Sequence, residues 1–158
     1  MDYELAYRYA AASRLDEGAG LALATSGGST PEGEAAHPYF FSGFMERPDV
    51  VAAGLLAVAR VARTRFYVPP GMVVAPGGGL TRIGMLDPVV TSTAEGLRFE
   101  SFSVCCGVYA RLDVESSALD ATHRAVGVTN VDVNQPLRAA LASLRAGEPL
   151  HLGVGEEG

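Results

Sequence analysis

Two adjacent cysteines, Cys105 and Cys106, and three histidines, His37, His123 and His151, carry most of the chemistry this sequence could perform. A thiolate is a nucleophile and an imidazole is its usual general base, and the two have only to meet in space. Cys105 or Cys106 as nucleophile with His37 or His123 as base would make a small hydrolase or transferase. Nothing near either cysteine in the sequence marks a lowered thiol pKa, and a free cysteine commonly packs as a small hydrophobe. The expectation is therefore a buried turn or bulge at Cys105 and Cys106, with no catalytic residue assigned and the four side chains kept as the alternative.

Metal chemistry has less to work with. Neighbouring cysteines rarely both reach one tetrahedral ion, and the histidines are scattered without pair spacing, so no metal ligand and no cofactor are assigned in this chain. A bond between adjacent cysteines closes a strained ring, which makes reduced thiols the default. The loop Ser26-Gly27-Gly28-Ser29-Thr30-Pro31 has the small residues of a phosphate cradle. It lacks the lysine of a P-loop and the spacing of a dinucleotide fingerprint, and reads as a simple turn.

Charged side chains offer one candidate binding surface. Arg60, Arg63 and Arg65 gather where a helix should end, and could meet an anion, although a solvated helix end also accounts for them. Glu100 and Asp113 lie beside Arg98 and Arg111 on two expected strands, where cross-strand ion pairing explains all four.

These residues must be positioned by a chain of 158 residues, 48% apolar and 19% charged. That suits one α+β domain, residues 1–158, which at this size buries about 70% of the surface its unfolded chain exposes. The formal charge of -6 disfavours a nucleic-acid backbone as partner. All 12 basic residues are Arg, which a GC-rich coding sequence explains without function. The acidic start Met1-Asp2-Tyr3-Glu4-Leu5 lacks the pattern of a signal peptide, and Val50 to Ala59 is too short to span a bilayer. A cytoplasmic protein without a membrane segment is expected.

The clearest element is a helix from Pro48 to Thr64. Pro48 fits its first turn, Asp49 suits the positive end, and Val51, Leu55, Val58 and Ala62 recur on one face. Gly54 is expected to let a neighbour approach closely. A meander over residues 88–114 follows from strands at Pro88 to Thr93, Leu97 to Val104 and Val108 to Val114, with turns at Ala94-Glu95-Gly96 and Cys105-Cys106-Gly107. Val108, Ala110, Leu112 and Val114 face a core while Tyr109, Arg111 and Asp113 face water. Phe99 and Phe102 cannot share a face without a bulge, which leaves the register near Ser101 open.

Elsewhere the signals are shorter. Residues 1–17 lean to strand, Gly20 to Thr25 forms a strand, and the aromatic patch His37 to Phe44 enters the core. Phe66-Tyr67-Val68 makes a brief strand before a Pro- and Gly-rich loop through Gly79. Residues 115–128 read mostly as loop, with Gly127 as a breaker, and Val131 and Val133 mark a short strand end. Asn134 caps a second helix running to Ala146, and Leu150, Leu152 and Val154 make a last strand. A strand so close to the C-terminus is expected at an open edge, which suggests a fragment of a longer chain.

The run Leu97 to Ser103 with Cys105-Cys106-Gly107-Val108-Tyr109-Ala110-Arg111-Leu112-Asp113-Val114 resembles the N-terminal region of bacterial, mainly actinobacterial, SWIM zinc-finger family proteins. His37 to Phe44, Ala59 to Arg65, and Thr129 to Asn134 before Pro136-Leu137-Arg138 agree with it, so the resemblance spans roughly residue 7 to the end. The zinc signature of a SWIM module, Cys-x-Cys followed by Cys-x-His, is absent from this sequence. The resemblance implies zinc in the full-length family alone, and protein or nucleic-acid interaction there. It also implies an assembly with a MoxR-type AAA ATPase and von Willebrand factor A proteins. The reading that results is a noncatalytic interaction or scaffold region.

Overall fold

Alternation of apolar and polar side chains between Leu97 and Val114 produces the two longest strands, and the other elements pack around them. The computed structural model describes residues 9–16, 18–67, 70, 87–145 and 147–156. In chain order these residues form β1 (Arg14–Asp16), β2 (Gly20–Leu23), β3 (Gly28–Thr30), β4 (Gly33–Ala35), β5 (Phe41–Met45) and the helix α1 (Pro48–Arg63). There follow β6 (Val89–Thr93), β7 (Gly96–Phe102), β8 (Tyr109–Glu115), β9 (Leu119–Arg124), β10 (Gly127–Asn130), the helix α2 (Gln135–Ser143) and β11 (Leu150–Val154). The fold is α+β. One sheet runs β1-β2-β11-β5-β9 and the other β4-β3-β10-β6-β7-β8, and every pairing is antiparallel except β2 with β11.

The expected meander is present, with β6, β7 and β8 joined in order. Its register is continuous from Gly96↔Glu115 to Phe102↔Tyr109. Phe99 is fully buried and Phe102 is 51% exposed, so the two rings take opposite faces and no bulge is needed. Gly96 adopts φ +146 where β6 turns into β7, a conformation that suits glycine.

Helix α1 forms where its local signals place it, with Asp49 in its first turn and Arg60 and Arg63 in its last. Val51, Leu55, Val58 and Ala62 are buried, and the helix packs on β7 and β8 while touching α2 on another side. A Cβ at Gly54 would lie 2.7 Å from Leu112 Cδ1, so the absent side chain admits the strand. Ser101 Oγ donates to the Val58 carbonyl at 2.6 Å, tying β7 to the helix. Helix α2 begins as expected, because Asn134 Oδ1 accepts from Leu137 N at 2.9 Å. It ends at Ser143 rather than Ala146.

Residues 115–128 are not mostly loop. They carry β9 and β10, which pair with β5 and β6. A Cβ at Gly127 would lie 2.4 Å from two atoms of the Phe40 ring, so this glycine seats an aromatic on β10 instead of breaking the strand. Ser26 to Pro31 likewise contains β3, whose Gly28 would bring a Cβ within 2.4 Å of the Val128 carbonyl. The short strand end expected at Val131 and Val133 is displaced: the strand closes at Asn130, and Val131 makes a single bridge to Thr25.

Three further expectations shift. Phe66 and Tyr67 belong to no strand and are exposed, while Val68 lies outside the described residues. The loop through Gly79 also lies outside them apart from Pro70, as do residues 1–8 of the stretch expected to lean to strand; of its described residues only Arg14–Asp16 form a strand, β1. β11 sits between β2 and β5, so the last strand has neighbours on both sides in place of the open edge expected. No helix among the described residues is long and apolar enough to cross a membrane.

Candidate functional site

The turn between β7 and β8 is built from Ser103, Val104, Cys105, Cys106 and Gly107. Ser103 N donates to the Val108 carbonyl at 2.8 Å, and Cys106 N to the Ser103 carbonyl at 2.8 Å. Cys106 takes φ 56, and as a side chain at the tip it is exposed; Cys105 is half-buried. The expectation that both cysteines are buried is therefore wrong, because the tight turn projects beyond the sheet that would have covered them.

Cys105 stands in an unusual environment for a thiol. Ser103 Oγ lies 3.4 Å from its sulfur, and Phe66 N donates to it at 3.4 Å. Val108 N donates to the same Ser103 oxygen at 3.0 Å, and the Ser103 hydroxyl proton is free to donate to the sulfur once that is a thiolate. The Ser103 hydroxyl above all, then the backbone N–H groups of Gly107, Phe66 and Tyr67, lower the Cys105 pKa to about 6. The sequence did not show this, because Ser103 and Gly107 reach the sulfur only through the geometry of the turn and Phe66 lies 39 positions away.

The histidines do not meet this thiol. His37 Nδ1 bonds the Thr25 carbonyl at 3.1 Å, and His123 Nε2 bonds the Tyr39 carbonyl at 3.2 Å with its ring stacked on Tyr39 at 4.0 Å. His151 Nε2 pairs instead with Ser42 Oγ at 3.0 Å, a contact the sequence did not suggest across 109 positions. It joins neighbouring strands β5 and β11, and the His151 ring meets the Phe44 ring edge to face at 5.4 Å. Among the described residues no group of three or more His, Cys, Asp or Glu side chains could hold a metal ion.

The three arginines at the end of α1 diverge. Arg63 reaches Asp87 at 3.5 Å, Arg60 is exposed, and Arg65 is half-buried. Asp87 also accepts from Tyr9 at 3.0 Å. Of the four charges on the meander, Arg98 and Asp113 pair across strands, Arg111 reaches Asp113 along β8, and Glu100 forms no ion pair among the described residues. Arg98 Nε donates to Asp113 Oδ1 at 2.8 Å and Arg111 Nε to Asp113 Oδ2 at 2.6 Å, while Tyr109 donates to Glu100. The bond from Arg98, aided by Arg111, holds the Asp113 carboxyl below its ordinary pKa.

At the turn end of this same outer face, Phe102 and Tyr109 present rings 5.1 Å apart. Phe66 and Tyr67 enter from the end of α1, held beside the turn by Val104 N, which donates to the Thr64 carbonyl at 2.9 Å, and by the bond from Phe66 N to Cys105. Exposures of 51%, 47%, 57% and 60% for Phe102, Tyr109, Phe66 and Tyr67 leave four aromatic side chains open at one end of the sheet. A depression of about 380 Å³ adjoins the first pair, lined also by Asp87, Val89, Glu100 and Ser101.

No protein-family model, curated protein or solved structure matches the chain.

Proposed function

We propose that this chain is a noncatalytic interaction module that docks a partner protein at the turn end of β7 and β8. The exposed ring pair of Phe102 and Tyr109, with Phe66 and Tyr67 also exposed where the end of α1 meets the same turn, is the observation that carries the reading, because aromatic side chains supply much of the binding energy of protein interfaces. Asp87 and Glu100 beside the rings, within a chain of net charge -6, favour a partner segment that offers basic side chains. By its resemblance to SWIM zinc-finger family proteins, the partner is a MoxR-type AAA ATPase or a von Willebrand factor A protein of a shared cytoplasmic assembly, with zinc held elsewhere in the full-length protein.

Calorimetric titration of the purified chain with the MoxR-type ATPase of the same genome tests this. Saturable binding that weakens about tenfold or more on Phe102→Ala or Tyr109→Ala is expected. Binding that neither change weakens would remove the proposal.

One observation favours a second reading. Cys105, with its pKa near 6, is largely a thiolate at neutral pH without any histidine, as a cysteine nucleophile of a small hydrolase or transferase would be. Turnover of thioester or activated ester substrates that is lost in Cys105→Ser and kept in Cys106→Ser would favour it over the interaction module.

A further inference from the structure

β8 is a terminal strand of the six-stranded sheet, and among the described residues it pairs with β7 alone. With seven residues it is longer than the other sheet-edge strands β1, β4 and β9. Ser103 N bonds the Val108 carbonyl and Ser116 N bonds the Glu95 carbonyl, which sets the phase of the ladder. In an antiparallel pair each residue turns its N–H and C=O alternately toward and away from its neighbour. Val108, Ala110, Leu112 and Val114 therefore bond toward β7, and Tyr109, Arg111, Asp113 and Glu115 direct their backbone groups outward.

An outward edge of this length is a template for another strand. Its own sequence is complementary to itself. Two antiparallel copies of β8 centred on Leu112 place Arg111 opposite Asp113 and Tyr109 opposite Glu115, each twice, and all four pairs have the phase that forms hydrogen bonds. Sliding by two residues in one direction sets Arg111 against Arg111, and in the other sets Asp113 against Asp113, so charge selects the central register.

Helix α1 supplies an independent observation on the other face of the same edge. Gly54 lies against Leu112 of β8, and Val50, Ala57 and Val61 follow it at helical spacing on that side. Val50 is 50% exposed, Ala57 is exposed, and Gly54 and Val61 are half-exposed. Because α1 packs over both β7 and β8, its axis stands about one strand spacing from a two-fold axis beside β8. Two such helices would lie roughly 10 Å apart, which is the distance of packed helices, and small side chains at the contact permit it.

We propose that a second copy of this chain docks edge to edge on β8, forming a two-fold dimer in which Leu112 faces Leu112 across the joined strands and the two α1 helices pack side by side. The twelve-stranded sheet that results closes this edge of both protomers. The proposal shares Tyr109 with the docking of a partner protein but not Phe66 or Phe102, so Phe102→Ala tests that docking while leaving the joined strands intact.

Sedimentation equilibrium of the intact chain up to millimolar concentration tests the dimer, with two charge reversals as its decisive arms. Arg111→Asp and Asp113→Arg each set like charges together and are expected to weaken self-association about tenfold or more. Mixed in equal amounts, the two variants restore both opposite pairs and are expected to form a heterodimer as tight as the wild-type dimer. Circular dichroism and thermal melting of each variant alone show whether it is folded; if a reversal unfolds the chain, the double variant R111D/D113R replaces it and must dimerise as wild type. A chain that stays monomeric overturns the proposal, as does a dimer that ignores both reversals or a mixture that fails to reassociate.

Discussion

Phe66 N lies 3.4 Å from Cys105 Sγ, so the backbone at the end of α1 donates a hydrogen bond to a thiol in the β7–β8 turn. With the Ser103 hydroxyl and the Gly107 and Tyr67 N–H groups, it stabilises the thiolate over the thiol. Since the pKa is lowered to about 6, the thiolate is the majority form above that pH. Alkylation of Cys105 by iodoacetamide should rise through about pH 6 and level off by neutrality, where an ordinary thiol would still be climbing toward about 8.5. Ser103→Ala should move the midpoint upward. A midpoint in the ordinary range in wild type would contradict the geometry of this turn.

Phe99 and Phe102 are three positions apart on one strand and should respond very differently to truncation. Phe99→Ala opens a cavity in the core and is expected to cost about 3–5 kcal/mol. Phe102→Ala removes a half-exposed ring and should change stability by about 0.5 kcal/mol or less. Urea denaturation of the two variants measures the difference, and equal losses would mean that the register of β7 is misplaced.

Gly127 is held by packing. Its alanine variant would force a methyl group to within 2.4 Å of the Phe40 ring and 2.7 Å of the Ser29 carbonyl, and overpacking of this kind costs about 1–3 kcal/mol. If the position were the loop breaker it resembles in the sequence, thermal melting of Gly127→Ala would be indistinguishable from wild type.

Asn134 does two jobs at the start of α2. Its Oδ1 caps the helix at Leu137 N, and its Nδ2 donates to the Ser13 carbonyl at 2.9 Å and to Asp132 Oδ2 at 2.8 Å. Asn134→Ala should lower stability by about 1–2 kcal/mol, and Asn134→Asp should recover the cap while losing the two donated bonds. Chemical denaturation of both variants separates the contributions.

Ser92 Oγ is fully buried and, among the described residues, has no hydrogen-bond partner. Burying a hydroxyl without compensation is unfavourable, so Ser92→Ala should leave stability unchanged or raise it by up to about 1 kcal/mol. A clear loss in a thermal melt would reveal a bond to this hydroxyl.

By itself the sequence determined what depends on residues close together along the chain. Pro48 and Asp49 opened α1, the recurrence of Val51, Leu55, Val58 and Ala62 gave it a buried face, and Asn134 opened α2. Alternation from Val108 to Val114 set which side of β8 faces the core, and with it the cross-strand pairing of Arg98 and Asp113. Such signals repeat within one turn or one pleat, so no distant partner is needed to read them.

Tertiary structure decided the rest. β9 and β10 carry little apolar periodicity and exist because β5 and β6 supply their hydrogen bonds, while Gly127 looks like a breaker until Phe40 is placed over it. β11 became an interior strand because β2 and β5 close on it from both sides. The Cys105 thiol owes its acidity first to the Ser103 hydroxyl and the Gly107 N–H as the turn folds them onto it, and then to the Phe66 and Tyr67 N–H groups brought from the end of α1. Backbone donors are the same at every residue, so their convergence on one sulfur is set by the folded path of the chain and leaves no trace in side-chain types.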